Sequence, residues 1–355
     1  MKNYLIGIFI ALFCLTACKK DPPKPPTPDA YSNGVLVLNE GLFQQNNSSI
    51  SWYSKGESKS FQQVFLTENE RGLGDTANDF ELYEINGKKY IIVAVDVSSQ
   101  LEIIEAATLK SVAQIPVFDG TDAREPREIV VVGQVACVAN FDGSVAIVDL
   151  VNNQITAYWE AGLNPDGIAH YGNDLFVVNS GGLNSPDYDS TLSVFDLETQ
   201  SFKGNITTAI NCSQVQITEE GQLYLLSRGN YSDVDPSLQR LDVTKEAIEV
   251  EQVFDLPISS FEIHNDWLYY HNTDLKAICR INLDGEDMPE AGAFIDVSEF
   301  ETFYGIQIDP LTGDIYCFDA RGYVNSAIVK CYSKEGNFKY EFTAALNPAK
   351  LIFLP

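Results

Sequence analysis

Seven short segments recur along this chain at nearly even spacing: ANDFELY, EPREIVV, NPDGIAH, NCSQVQI, ISSFEIH, FYGIQID and NPAKLIF. Each is a polar lead-in, often with proline, that runs into an apolar strand. The strands are anchored at Phe80, Ile129, Ile168, Val215, Phe261, Ile306 and Leu351, and by subtraction the anchors lie 49, 39, 47, 46, 45 and 45 residues apart. A period of roughly 40 to 50 residues is that of one four-stranded blade of a β-propeller. Seven lead-ins predict an all-β, seven-bladed propeller.

The order within each unit is constant. After the lead-in strand comes a tight turn (INGKK, YGND, EEGQ, PLTGD), then a second strand (IIVAV, LFVV, LYLL, IYCF). A connection of variable length leads to a third strand (SVAIVDL, STLSVFDL, AIVKCYS), and a short turn leads to a fourth. Short alternating runs rich in Val, Ile, Phe and Tyr are the mark of strands, and almost no amphipathic helix interrupts them. The last lead-in, NPAKLIFLP, has no second strand after it, and the first unit, GVLVLNE, begins at a second strand. The C-terminal strand is therefore expected to complete the N-terminal blade, which leaves neither end with a bare edge. A two-domain sandwich offers no reason for seven similarly phased lead-ins.

Strands that run up and down in a blade put the second-to-third connections and the links between blades on one rim. There the chain is generous. NEGLFQQNNSS (39–49), NSGGLNSPDYDS (179–190), SRGNYSDVDPS (227–237) and DARGYVNSA (319–327) exceed minimal hairpin turns, whereas NFDGS makes the same connection in five residues. Long loops gathered at one end of a rigid scaffold are where binding resides. The loops offer Phe43, Gln44, Asn46, Tyr188, Arg228, Tyr231, Arg321 and Tyr323, and the lead-ins add Asp79, Arg124, Arg127, Asp166, Phe303 and Tyr304. Aromatic faces among amides, carboxylates and guanidinium groups suit a large, hydrogen-bonding ligand.

Charge excludes one class of partner. Fifty acidic against 23 basic side chains give a net charge of -27, which rules against nucleic acid. The N-terminus has its own pattern: a basic start at Lys2, an apolar run LIGIFIALFCL, and LTAC ending at Cys18. The run is too short for a membrane-spanning helix of about 20 residues, and reads as a leader covering residues 1–17. LTAC resembles the bacterial lipobox, which implies lipidation of Cys18. The segment KKDPPKPPTPD that follows reads as an extended spacer of some ~30 Å within residues 18–30, with the propeller occupying 31–355.

Signals for chemistry are sparse. Cys137, Cys212, Cys279, Cys317 and Cys331 are odd in number with no CxxC spacing, so buried free thiols are expected; Cys317 and Cys331 flank one hairpin and could face each other. His170, His264 and His271 sit at unrelated repeat positions, and neither HExxH nor a serine elbow is present. The acidic run NLDGEDMPE (282–290) lacks EF-hand spacing and falls where a third-to-fourth turn belongs. Neither a catalytic residue nor a metal ligand is assigned. Rim carboxylates could hold a metal, as in lactonase-like propellers, and a scaffold for protein or glycan is a further alternative.

The pattern NPDGIA…DLFVVNSGG…STLSVFDLET is similar to YncE-like, surface-layer-type propellers. With the lipobox and the opening VLNEGLFQQNNSSISWYS, the chain resembles surface lipoproteins of Bacteroides, most of all the vitamin B12-capturing lipoproteins of the BtuG type. That resemblance implies a lipid-anchored propeller at the outer membrane, facing the cell exterior. It would bind cobalamin or a related corrinoid as cargo, not as cofactor, and pass it without reaction to a TonB-dependent transporter of the BtuB type. CKKDPP after the lipobox departs from the acidic run that often accompanies surface export in this phylum.

Overall fold

A computed structural model describes residues 31–283 and 292–354. The leader, Cys18, the proline-rich spacer and most of the acidic run 282–290 lie outside the described residues. The described chain forms seven four-stranded antiparallel sheets. The first blade is assembled from both ends of the chain: Pro348–Leu354 is its inner strand, followed outward by Gly34–Asn39, Ser49–Ser54 and Lys59–Phe61. The inner strands of the second to seventh blades are Ala77–Ile85, Pro126–Val132, Pro165–Tyr171, Cys212–Ile217, Ile258–His264 and Phe303–Ile308. Each of the seven predicted lead-ins is thus an inner strand, and the chain's last strand does close the ring.

The periodic anchors are explained by where the core sits. Seven separate apolar clusters fill the wedges between neighbouring blades. Phe80 packs with Leu36 and Trp52 between the first and second blades, and Leu351 packs with Tyr316 and Phe318 between the seventh and first. Second strands are covered on both faces. That is why Val135–Asn140, Asp174–Asn179 and Gln222–Ser227 read as continuous apolar runs, while outer strands such as Lys110–Pro116 alternate. The closing seam is notably aromatic: Tyr53 stacks on Phe342 with ring centroids 4.2 Å apart and planes 9° apart, and Tyr316 lies 5.1 Å from Phe353.

An inner strand has one edge with no strand beside it, so its backbone needs other partners. Side chains of the preceding blade supply many of them. The Ile129 N–H donates to Asp79 Oδ2 at 2.7 Å, and the Ile168 N–H donates to Glu128 Oε2 at 3.1 Å. Gln214 accepts from the Phe261 N–H and donates to the Phe261 carbonyl, and Gln307 does the same with Leu351 at 2.6 and 2.9 Å. Between the fourth and fifth blades the backbones are too close for such a bridge, since a Cβ on Gly167 would meet the Ser213 carbonyl at 2.9 Å. On its other side the closing strand is held by Lys350, whose Nζ lies 2.6 Å from Asp79 and 2.5 Å from Glu81 of the second blade.

Two details differ from the sequence expectation. Cys317 and Cys331 do not face each other: Cys317 pairs with Lys330, and Cys331 pairs with Tyr316. A one-residue offset puts their side chains on opposite faces of the sheet, and all five described cysteines are free and buried. A two-strand flap, Phe118–Asp119 with Asp122–Ala123, also stands in the link between the second and third blades. Its strands are too short to show a period.

Lys350→Ala should expose how far the ring depends on its last strand. Removing the ammonium leaves Asp79 and Glu81 without their cation, and a loss of about 3 kcal/mol is expected for one-sided deletion of a buried pair. Urea unfolding of parent and variant measures it; a difference below about 0.5 kcal/mol would show that the seam does not need Lys350.

Candidate functional site

The long connections and the links between blades share one rim, as their backbone contacts show. Gly41 N–H donates to the Leu346 carbonyl, Gly181 to Leu163, Arg228 to Asn211, and Ala320 to Thr302. Each pairing joins a second-to-third loop to the lead-in of its own blade. The inner strands enter this rim through register shifts, one in each blade, such as those between Pro126 and Ile129 and between Pro165 and Ile168. Bulges re-aim side chains, and here they turn Asn78, Arg127, Asp166 and Tyr304 into the mouth of a cavity of about 700 Å³ that continues down the axis.

Four loops rise around this mouth, and each is fixed by a polar side chain at its root. In the first blade Asp75 accepts the N–H groups of Gln44 and Asn46 at 3.0 and 2.7 Å, and leaves Phe43 68% exposed. In the fourth blade Asp189 accepts the Leu163 N–H at 2.9 Å and the Thr191 hydroxyl at 2.6 Å. Gly181, with φ of 61°, makes the tight return there, because a Cβ would lie 2.2 Å from the Asp189 nitrogen. In the fifth blade Asn230 Oδ1 accepts three successive N–H groups, Ser232 to Val234, and Tyr231 stands 73% exposed. In the seventh blade Asp319 holds the N–H groups of Glu301, Thr302 and Arg321.

Aromatic residues from different segments meet above these roots. Tyr188 and Tyr231, from adjacent blades, make an edge-to-face pair with centroids 6.5 Å apart. Tyr323 makes a second edge-to-face pair with Tyr304 at 6.0 Å, and the Tyr304 hydroxyl donates to Glu40. The two pairs lie in different parts of the ring, at the fourth and fifth blades and at the seventh.

Between them runs a charged floor. Arg127 donates to Asp96 at 2.6 Å and to Asp166 at 3.2 Å, and its guanidinium lies over the Phe141 ring at 5.0 Å. Asp166 receives a second donor, Arg228, at 2.9 Å, and Asp96 is also bonded by Asn78. Burial pushes the Asp166 carboxyl up, but the two arginines outweigh it and hold the group below its ordinary value. Glu40 is the opposite case: burial raises its carboxyl despite the Tyr304 hydrogen bond. Arg228 uses one guanidinium nitrogen on Asp166, and 44% of its side chain remains exposed.

Several residues named from sequence do not face the mouth. Arg124 is engaged by Asp119 and Asp142 at 3.2 and 2.6 Å and lies over Tyr158 at 4.1 Å, so its charge is neutralised in the flap. Phe303 stacks on His271 at 3.8 Å between the sixth and seventh blades. Asp79 belongs to the channel wall, tied to Ile129 and Lys350. Conversely, Glu40 and Asp96 went unnamed, although VLNE, VAVD and LLSR put a charged residue directly after the second strand at one repeat phase. Arg228 is the third member of that set.

Below the mouth the channel is acidic. Asp79, Glu81, Glu128 and Glu262 line it, with Lys350 as the cation among them. Among the described residues no group of three or more His, Cys, Asp or Glu is set to hold a metal ion. His271 is buried against Phe303 and hydrogen-bonded to Ser259, and burial lowers it to about 4. Rigid aromatic pairs, free guanidinium donors and carboxylates suit non-covalent recognition of a broad ligand with many hydrogen-bonding groups.

These features define a seven-bladed propeller with an open, aromatic-rimmed mouth at one end of its axis. The chain belongs to a family described as a domain of unknown function (DUF5074), matched over residues 33–353. No curated protein matches it in sequence. Among solved structures, a functionally unknown protein from Desulfotomaculum acetoxidans is similar with a TM-score of 0.66 at 12% identity, covering 91% of this chain and 99% of that one. A quinonprotein alcohol dehydrogenase-like protein from Bacteroides thetaiotaomicron gives 0.63 at 16% identity, covering 91% and 78%. Hydrazine synthase from Kuenenia stuttgartiensis gives 0.60 at 14%, covering 73% and 85%. At such identities the likeness is one of fold alone.

Burial raises the Glu262 carboxyl from its ordinary 4.5 to about 7, against the lowering effect of the Gln216 hydrogen bond. A raised carboxyl favours the folded state while protonated, so its contribution is complete below pH 4.5 and is lost as pH rises through about 7. Glu262→Gln removes that loss. The variant should gain stability over the parent across this window, reaching about 3 kcal/mol above it, in urea titrations at stepped pH. A constant difference between pH 4 and 8 would show that Glu262 titrates normally.

Proposed function

We propose that this protein is a lipid-anchored capture protein. Its mouth takes cobalamin or a related corrinoid from outside the outer membrane and hands it, chemically unchanged, to a TonB-dependent transporter of the BtuB type. The observation that carries the reading is the combination of exposed aromatic residues with loops held rigid at their roots. Tyrosines fixed in this way lose little freedom on binding, which favours affinity. A corrin is a wide, flat ring with apolar edges and many amide side chains. It would lie against the tyrosine pairs, with its amides meeting Arg228, Glu40 and the loop backbones. The resemblance of VLNEGLFQQNNSSISWYS and the lipobox to B12-capturing lipoproteins supports the same ligand.

Calorimetry of the propeller with cyanocobalamin tests it: saturable heat is expected, and its absence at high micromolar ligand refutes the assignment. If binding occurs, Tyr188→Ala combined with Tyr231→Ala should weaken it by about 1–3 kcal/mol, roughly 5- to 150-fold. Unchanged affinity moves the site off these loops.

A further inference from the structure

A second cavity, of about 430 Å³, opens between the sixth and seventh blades on the face opposite the mouth. Its walls are turns that join first to second and third to fourth strands: the turn at Asn265 in the sixth blade, and those at Thr312 and Glu335 in the seventh. The proposed capture of a corrinoid makes no use of it.

Five of the chain's seven arginines pair with carboxylates. Arg280, which lines this cavity, makes no ion pair among the described residues. Its guanidinium lies instead over two rings, 4.4 Å from the Trp267 centroid and 4.0 Å from that of Phe294. Rings engage the face of a planar guanidinium and leave its N–H edge, the fork that grips oxyanions. Phe294 is itself fixed. Its N–H donates to the Ile278 carbonyl at 2.8 Å, and a Cβ on Gly336 would meet the Phe294 carbonyl at 3.1 Å, so the seventh blade's turn presses against it.

Lys334 stands on the opposite wall and also makes no ion pair among the described residues. The carboxylates nearest it in the seventh blade are engaged by other lysines, Asp309 by Lys55 at 3.4 Å and Asp314 by Lys339. Gly313, with φ of 72°, separates Lys334 from the histidine beside it: a Cβ there would lie 3.3 Å from Lys334 Cβ and 3.4 Å from His264 Nε2. Glu335 is the one acid in the lining, and it is exposed. In a chain of net charge -27, an anion is held only where cations are gathered in this way.

We infer that this cavity binds a small, soluble phosphomonoester, with Arg280 and Lys334 on its phosphate group. Two cations with His264 alongside suit a dianion with several acceptor oxygens better than a single carboxylate. The volume exceeds what a bare phosphate fills, and Trp267 and Tyr269 give the organic part an apolar wall. The site is separate from the mouth, and its test does not depend on what the mouth takes.

Equilibrium dialysis of the purified full chain against radiolabelled inorganic phosphate is expected to show saturable binding, displaced by glycerol 3-phosphate at lower concentration than by unlabelled phosphate. Arg280→Lys keeps the charge but loses the fork, and should weaken binding by about 10- to 100-fold. Lys334→Gln, on an exposed side chain outside the aromatic packing, should weaken it as well and flatten its dependence on salt. A parent that takes up no phosphate overturns the proposal, as does binding that both variants retain. So does uptake that appears only after Asp284→Asn, Glu286→Gln and Asp287→Asn, which would assign the Arg280 fork to the chain's own acidic run. Acetate displacing as well as phosphate overturns the choice of a phosphate group, and glycerol 3-phosphate displacing no better than phosphate overturns the organic part.

Discussion

The ring depends on how its inner strands satisfy the edge that no strand covers. A sheet laid against a channel presents a row of N–H and C=O groups that must find partners. Here the partners are side chains of the neighbouring blade: Asp79 for Ile129, Glu128 for Ile168, Gln214 for Phe261 and Gln307 for Leu351. At these four junctions the contacts locate one blade against the next to within a hydrogen bond. They also explain why the channel is polar although the wedges between blades are apolar. Carboxylates that line the channel lose solvent there, and burial displaces Glu81, Glu128 and Glu262 upward.

The mouth inherits its rigidity from the same frame. Its floor is an alternation of opposite charges, Asp96, Arg127, Asp166 and Arg228, contributed by four different blades. None of these groups is free to relax without its neighbours. The aromatic residues above them come from loops whose bases are clamped by Asp75, Asp189, Asn230 and Asp319. Surplus loop length is thus combined with little surplus freedom, a combination suited to selecting one broad ligand shape.

Much of the fold was legible because repetition exposes it. Phe80, Ile129 and the five later anchors share one environment, the wedge between two blades, and so share one spacing. The rim was legible for the same reason, since loop phase follows strand phase. What the period does not encode is the direction of a side chain at a bulge. Arg124 and Arg127 are three residues apart in one lead-in, yet one turns to the flap and the other to the axis. Phe303 and Tyr304 are adjacent and diverge in the same manner. Glu40 and Asp96 were readable in principle, because a charge directly after an apolar second strand recurs with Arg228. Their role emerges only when partners distant in sequence, Tyr304 and Arg127, are brought beside them.

The seam at Gly34–Asn39 also determines how the molecule bears mechanical load. A pull arriving from the N-terminal side enters a strand that is bonded on both edges, to Ser49–Ser54 and to Pro348–Leu354. Force directed along that strand loads two hydrogen-bonded ladders in shear, so many bonds resist together instead of peeling one after another. The stacked Tyr53 and Phe342 and the Lys350 bridge brace the strands on either side. A chain dragged through flow by one end would therefore be gripped at the point where its ring is joined, on a strand bonded along both edges.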